Sequence, residues 1–320
     1  MNILILSVGT RNLLVSYFTK AGFKKVVATD ASELAPALKC ASSYYLVPRI
    51  TDPNYINVIK DICIKENINV ILPLFEDELT LIAQNKTFFQ NLGILVVVSD
   101  LKTVNLCRDK YKFYEKLHDN NVPVLKTYSN CNDFESAYNN GSINFPVFIK
   151  PRNGCGSANS FKANNMEFVK AVLSNYDEEF IIQEFSNGVE YGVDVYVDLI
   201  SKEPTSMFIK KKLRMRAGET EKSISIFNPE IEELVFHVLR IFKFNGPIDI
   251  DLFEIDGKFY VSEINPRFGG GYPHAYLCGI DFPKFILNNA EEKQCKKSLR
   301  NYKAGVIALK TQNIVCWGLE

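Results

Sequence analysis

Residues 246–271 read GPIDIDLFEIDGKFYVSEINPRFGGG, and the reading of this stretch decides the fold. Apolar and polar residues alternate on both sides of Asp256-Gly257, which predicts two adjacent strands joined by a tight turn. In that pairing Asp251 falls near Glu263 across the ladder, and Asn265, two residues on, projects to the same face as Glu263. Two carboxylates and an amide oxygen on one face form a set of hard oxygen ligands suited to Mg²⁺, which takes its other ligands from water and substrate phosphates. Without a cation a buried carboxylate pair would repel, and its pKa would rise. The competing reading is an ordinary solvated strand face.

Upstream, residues 145–160 read FPVFIKPRNGCGSANS. Lys150 ends an apolar strand and a Gly/Ser-rich loop follows it, so a cation and a row of backbone N–H groups are available to close over phosphates. Alone, this segment reads equally well as a surface lysine on a hairpin; the downstream carboxylate pair favours phosphate. Around these two segments the chain is rich in strands: FIIQEF (180–185), VEYGVDVYVDLI (189–200) and TSMFIKKKLRM (205–215), with one helix at about 229–243. A helix from Asp109 to about Asn121, a strand VPVLKTY (122–128) and a helix at 131–140 come before them.

The first hundred residues follow a different rhythm. Short apolar runs at 2–8, 25–29, 44–48, 69–74 and 94–99 alternate with amphipathic stretches near 11–21, 53–66 and 77–91, the first of these closed by Gly22. This predicts a parallel sheet covered by helices. Ligands of such sheets gather at the carboxyl ends of the strands, which makes a candidate rim of Ser7 to Arg11, Asp30 and Glu76-Asp77-Glu78. After the first strand stands SVGTRN, with one glycine where a dinucleotide site needs G-x-G-x-x-G, so a nicotinamide enzyme is disfavoured.

Composition narrows the function classes further. The 320 residues are 47% hydrophobic, with 23 Phe and 15 Tyr, enough apolar surface to offset the entropy of ordering the chain. With 37 Lys+Arg against 37 Asp+Glu the net charge is zero, which argues against a dedicated nucleic-acid binder. No apolar run approaches the roughly 18–20 residues of a membrane span, and the N-terminus reads as a strand without a basic leader; a cytoplasmic protein is expected. The eight cysteines contain no C-x-x-C pair and the three histidines are isolated, so neither a disulfide framework nor a zinc site is predicted.

Taken in order, six features resemble the ATP-grasp superfamily, in its branch similar to the carbamoyl-phosphate synthase large subunit. They are DKYKFYEKL (109–117), the strand-end lysine of FPVFIKP, the GCGS loop, QEF-x-x-G-x-E (183–190), the Asp251 and Glu263 pair, and E-x-N-P-R (263–267). The resemblance covers about residues 1–285. It implies an α/β and α+β protein: a Rossmann-like pre-ATP-grasp domain at 1–106, a central ATP-grasp subdomain at 107–185 and a C-terminal subdomain at 186–320.

It also implies roles. Lys110 and Lys150 would contact the ATP phosphates under a flap formed by Gly154, Gly156 and Ser157. Gln183, Glu184 and Phe185 would lie in the linker between the two β-rich lobes, with Glu184 at the adenine amino group, and Glu190 would hold ribose hydroxyls. Asp251, Glu263 and Asn265 would bind two Mg²⁺ ions. Arg267 would steady the transferring phosphoryl group or the acyl phosphate, and Arg214 and Arg216 would supply a substrate or phosphate cation. The sequence departs from the family in two places: Asp251 stands where many members have Glu, and Cys155 stands in the flap. The chain carries a single ATP-grasp module where carbamoyl-phosphate synthase uses two, so it is not expected to complete that synthesis alone.

The implied activity is an ATP- and Mg²⁺-dependent ligase that joins a carboxylate to an amine through an acyl phosphate. Its partners would be small molecules, with neither nucleic acid nor membrane, and a homodimer is compatible with it. The alternatives are a module that phosphorylates bicarbonate or another small carboxylate, and a non-catalytic ATP-binding sensor subunit.

Overall fold

Short apolar runs separated by helix-period stretches wind the chain strand, helix, strand, because each parallel pair needs a crossover to return to the same edge. The computed structural model describes residues 1–154, 159–216, 218–311 and 315–317. Its first layer contains β1 (Asn2–Leu6), α1 (Asn12–Ala21), β2 (Lys25–Asp30), β3 (Ser43–Leu46), α2 (Tyr55–Lys65), β4 (Val70–Pro73), α3 (Glu76–Gln84), α4 (Lys86–Asn91) and β5 (Leu95–Val96). The strands lie in the order β3-β2-β1-β4-β5 and every pair is parallel. The single helix expected over 77–91 is two. Asn85 separates them, its side-chain amide donating to the Leu81 carbonyl at 2.9 Å, the kind of local bond that competes with helix continuation.

Next come α5 (Leu101–Arg108), α6 (Lys110–His118), β6 (Thr127–Tyr128), α7 (Cys131–Asn139), β7 (Val147–Pro151), β8 (Phe161–Ala163), α8 (Met166–Asn175) and β9 (Phe180–Glu184). The strands form an antiparallel sheet in the order β6-β9-β7-β8, and Phe134, Ala137, Val169 and Val172 of α7 and α8 pack on Val147, Ile149 and Ile182. Of the strand expected over 122–128, only Thr127–Tyr128 joins this sheet. Pro123 has no N–H to give a ladder, and its carbonyl accepts from Val261 N at 2.9 Å in the other sheet, so the segment crosses between layers.

The remaining elements are β10 (Val189–Val197), β11 (Pro204–Arg216), β12 (Glu219–Ile226), α9 (Pro229–Ile241), β13 (Gly246–Ile255), β14 (Lys258–Asn265), α10 (Tyr272–Leu277), α11 (Phe282–Ala290) and β15 (Ile307–Leu309). They build a six-stranded antiparallel sheet in the order β14-β13-β10-β11-β12-β15. One face buries Val193, Val195, Ile209, Ile248 and Ile250 against Ile231, Val235 and Val238 of α9. The opposite face carries the charged residues of the site. Helices α10 and α11 turn back onto the first layer, where Tyr272, Phe282 and Ile286 share a core with Val15 and Phe18 of α1 and with Tyr196 and Phe208 of β10 and β11. Among the described residues, no helix is long and apolar enough to cross a membrane, and all described cysteines are free.

Candidate active site

Strand alternation sets the floor of the site. Across β13 and β14, Asp251 pairs with Glu263 and Asp249 with Asn265, and a bulge follows Asp251. On the other side of β13, Asp194 stands opposite Asp249 and Gly192 opposite Asp251. Lys210 and Lys212 of β11, two residues apart and so on one face, reach across β10: Lys210 pairs with Asp194, and Lys212 Nζ lies 2.7 Å from Asp251 and 3.6 Å from Glu190. Gly192 makes this crossing possible. A Cβ there would lie 3.0 Å from Lys210 Cε and 3.3 Å from Lys212 Cε.

The charges on this floor hold one another. Burial pulls the Lys212 ammonium down, but Asp251, Asp249 and Glu190 outweigh it and leave its pKa above the ordinary lysine value. Asp249 is raised, first by burial and then by Asp251 and Asp194.

The opposite wall comes from the four-stranded sheet and α6. Asp109 caps α6 by accepting from Tyr111 N and Lys112 N, and Arg152 grips the same carboxylate with two bonds of 2.9 Å. This ties the start of α6 to the end of β7 and sets Lys110 beside the loop, where its Nζ donates to the Gly154 carbonyl at 2.6 Å. Lys150, at the end of β7, is pushed down to about 8 by burial, although the charge of Glu263 works the other way.

Between floor and wall lies a cleft of about 830 Å³. Lys110, Lys150, Gly154, Gln183, Glu184, Phe185, Glu190, Asp251, Glu263, Asn265 and Arg267 all line it. Gly156 and Ser157, with Cys155, lie outside the described residues. Gln183 and Glu184 belong to β9 and not to a linker, which begins at Phe185; the Gln183 amide is buried and donates to Thr127 Oγ1 at 2.9 Å. Arg214 and Arg216 are not brought to the cleft. Register shifts in β11 on either side of Arg214 leave both side chains more than 60% exposed, paired with Glu221 at 2.9 and 3.4 Å, while Met215 between them lines the cleft.

Sequence reasoning assigned no role here to Lys210, Lys212 or Asp249. The signal was present: K-x-K facing D-x-D is the period-2 pattern of one charged strand face. From the N-terminal rim, Arg11 and Glu76 reach the cleft. Asp77 instead pairs with Arg108 at 2.7 Å, and Glu78 is fully buried against Tyr55. Glu76 Oε2 has no hydrogen-bond partner, Arg267 Nη2 stands 3.7 Å from it, and burial followed by the charge of Glu263 raises its pKa.

Among the described residues, no group of three or more His, Cys, Asp or Glu side chains could hold a metal ion. The donors present are the register-opposed Asp251 and Glu263 and the Asn265 amide oxygen, which accepts from Arg267 Nη2 at 2.9 Å. Such an oxygen set suits Mg²⁺ completed by water and phosphate, and does not suit a metal that needs imidazole or thiolate.

Residues 3–97 match the PylC-like N-terminal domain, and residues 107–271, more than half of the chain, match the ATP-grasp domain. The chain is 28% identical over 203 residues to D-alanine–D-alanine ligase B of Clostridium perfringens, an alignment that covers 57% of this chain and 66% of that protein. It is 24% identical to the arginine-specific carbamoyl phosphate synthase large chain of Halalkalibacterium halodurans over 56% of this chain and 18% of that one. Among solved structures, N5-carboxyaminoimidazole synthetase from Staphylococcus aureus complexed with ADP superposes with a TM-score of 0.74 at 17% identity, covering 96% of this chain and 79% of that one; this likeness speaks for the fold alone. The order of the strands, the charged face of the six-stranded sheet opposite a lysine-bearing wall, and the domain match agree, and the chain belongs to the ATP-grasp family.

Proposed function

We propose that this chain is an ATP- and Mg²⁺-dependent ligase that joins a small carboxylate to an amine through an acyl phosphate, releasing ADP and phosphate. The observation that carries the reading is the convergence in one cleft of Lys110, Lys150, the Asp251 and Glu263 pair and Arg267, with Arg11 and Glu76 of the N-terminal rim also lining it. Phe185 and the edge of Glu184 would receive the adenine, and Glu190 the ribose hydroxyls. Lys110 and Lys150 would lie against the phosphates, where each ammonium offsets charge in a site poor in water. Asp251, Glu263 and Asn265 would hold Mg²⁺, which when bound neutralises phosphate charge. Arg267, fixed by Asn265 and by the Phe268 carbonyl, would face the phosphoryl group as it transfers. Family membership and the ligases among its relatives support this reading.

Glu263→Gln tests it. The change keeps the shape and removes one charge, so Mg²⁺-dependent ADP release should fall by about a hundredfold or more. Stability without nucleotide should change little, since the relieved repulsion between Glu263 and Glu76 is offset by the lost attraction between Glu263 and the buried Lys150. Full Mg²⁺-dependent activity in the variant would sink the metal assignment and most of the ligase reading with it.

A further inference from the structure

Lys212 lodges a cation where the ligase reading needs a free metal ligand. Its Nζ lies 2.7 Å from Asp251 Oδ1, and its side chain is only 6% exposed. The ammonium reaches this place across β10 over Gly192, where a Cβ would stand 3.3 Å from Lys212 Cε. Asp251 keeps 30% of its side chain exposed and lines the cleft. An ammonium in contact with a carboxylate oxygen repels a divalent ion brought to the same oxygen, so the two cations compete for Asp251. Lys212 also has somewhere else to go. Glu190 stands 3.6 Å from its Nζ, just beyond hydrogen-bond reach, and the flexible four-carbon stem lets the ammonium leave Asp251 without moving β11.

We propose that Lys212 is the resident cation of the metal site, holding Asp251 while the cleft is free of nucleotide and excluding a divalent ion from it. The inference rests on the metal assignment of the ligase reading and adds an order of binding to it: Mg²⁺ enters with the nucleotide and not before. Nucleotide phosphates bring oxygens that accept an ammonium, so their arrival draws Lys212 away and frees Asp251 when the phosphate charge calls for a divalent ion. The coupling is reciprocal, since the factor by which nucleotide tightens the metal is the factor by which metal tightens the nucleotide. Until then the ammonium offsets the charge of two carboxylates, Asp251 and Glu263, that face each other across β13 and β14.

The test follows Mn²⁺, a paramagnetic ion with the oxygen preference of Mg²⁺, by titration of the full chain with and without ADP, allowing for the Mn²⁺ that ADP holds in solution. Nucleotide-free wild type should bind Mn²⁺ weakly; Lys212→Met should tighten that binding by at least about tenfold and shrink the gain that ADP brings. Lys110→Met is the charge control: it removes a cleft cation whose Nζ lies on the Gly154 carbonyl, and should change Mn²⁺ binding by less than about threefold. Glu263→Gln added to Lys212→Met should abolish the tightening, which locates the ion. If Lys212→Met does not fold, Lys212→Gln, which can still donate to Asp251 but carries no charge, is read by the same comparison. Equal tightening in Lys212→Met and Lys110→Met overturns the proposal, because net charge alone then accounts for it. Unchanged Mn²⁺ binding in Lys212→Met overturns it too, and Mg²⁺-dependent ADP release by the wild type would leave the ligase reading standing. Tightening confined to Lys212→Met, in a protein that releases ADP with no pair of carboxylate and amine, would leave the resident cation standing and refute the ligase reading instead.

Discussion

Glu78 is fully buried on α3, with Tyr55 donating its hydroxyl to the carboxylate and Asp30 adding negative charge nearby. Burial is the largest cause, and it pushes the carboxyl up to about 7. In the unfolded chain the group titrates at about 4.3, so between that value and about 7 the folded protein binds more protons than the unfolded one. Stability therefore falls as pH rises through this window. Glu78→Gln keeps an acceptor for the Tyr55 hydroxyl and carries no charge to desolvate, so in urea unfolding its stability relative to wild type should be higher at pH 8 than at pH 5 by about 1–3 kcal/mol. An equal shift at both pH values would show that packing, and not ionisation, governs the site. In the sequence, Glu76-Asp77-Glu78 is three interchangeable rim acids. Successive residues on a helix point about 100° apart, which sends Glu76 to the cleft, Asp77 to Arg108 and Glu78 into the core, and only the docking of α3 decides which goes where.

The hairpin of β13 and β14 was legible in its turn and its two strands but not in its bulge, which lets Val261 and Ile264, three residues apart, both enter the core. Asp256 has φ 49° and Gly257 φ 75°, the two left-handed residues of a type I′ turn, and the bulge after Asp251 is what sets Asp251 opposite Glu263, since an unbroken ladder from this turn would have brought Ser262 there. A Cβ on Gly257 would meet nothing within 4 Å, so Gly257→Ala isolates the backbone strain. It should cost about 1 kcal/mol of unfolding free energy and leave the ATP KM unchanged, since the apolar alternation still fixes the register. A changed KM would mean that the turn, and not the strand pattern, positions the carboxylates. Strands β12 and β15 and helices α10 and α11 were not foreseen. In β12 the sequence ETEKSISI is polar at most positions, because the strand is half exposed over much of its length, and α10 is only six residues long, too short for a helical period to register. Arg214 and Arg216 were misplaced for a related reason: irregular register in β11 changes which side chains face the cleft, and nothing in KKKLRMR announces it.

At the scale of the whole molecule, the aromatic cluster under α11 does what no single sheet does. Phe282 is 1% exposed and its ring lies 5.0 Å from Tyr272, 5.4 Å from Tyr196 and 6.2 Å from Phe268, between the parallel layer and the six-stranded sheet. Lys284 Nζ donates to the Ala21 carbonyl at 3.3 Å, and Arg11 to Phe268 O, so hydrogen bonds cross the same junction. Removing a buried ring of this kind costs about 3–5 kcal/mol, by lost transfer free energy and by the cavity left behind. Because the cluster belongs to both layers, Phe282→Ala should shift one cooperative transition as a whole and not release the N-terminal sheet on its own. Two probes separate these outcomes in urea: far-UV circular dichroism for the whole chain, and thiol labelling of Cys63, which is 2% exposed in α2 and packs in the core of the parallel layer. Coincident midpoints in wild type and variant are expected. If Cys63 in the variant is labelled well before the ellipticity changes, the first layer is a separate folding unit, and the cluster orients it against the cleft without governing its stability.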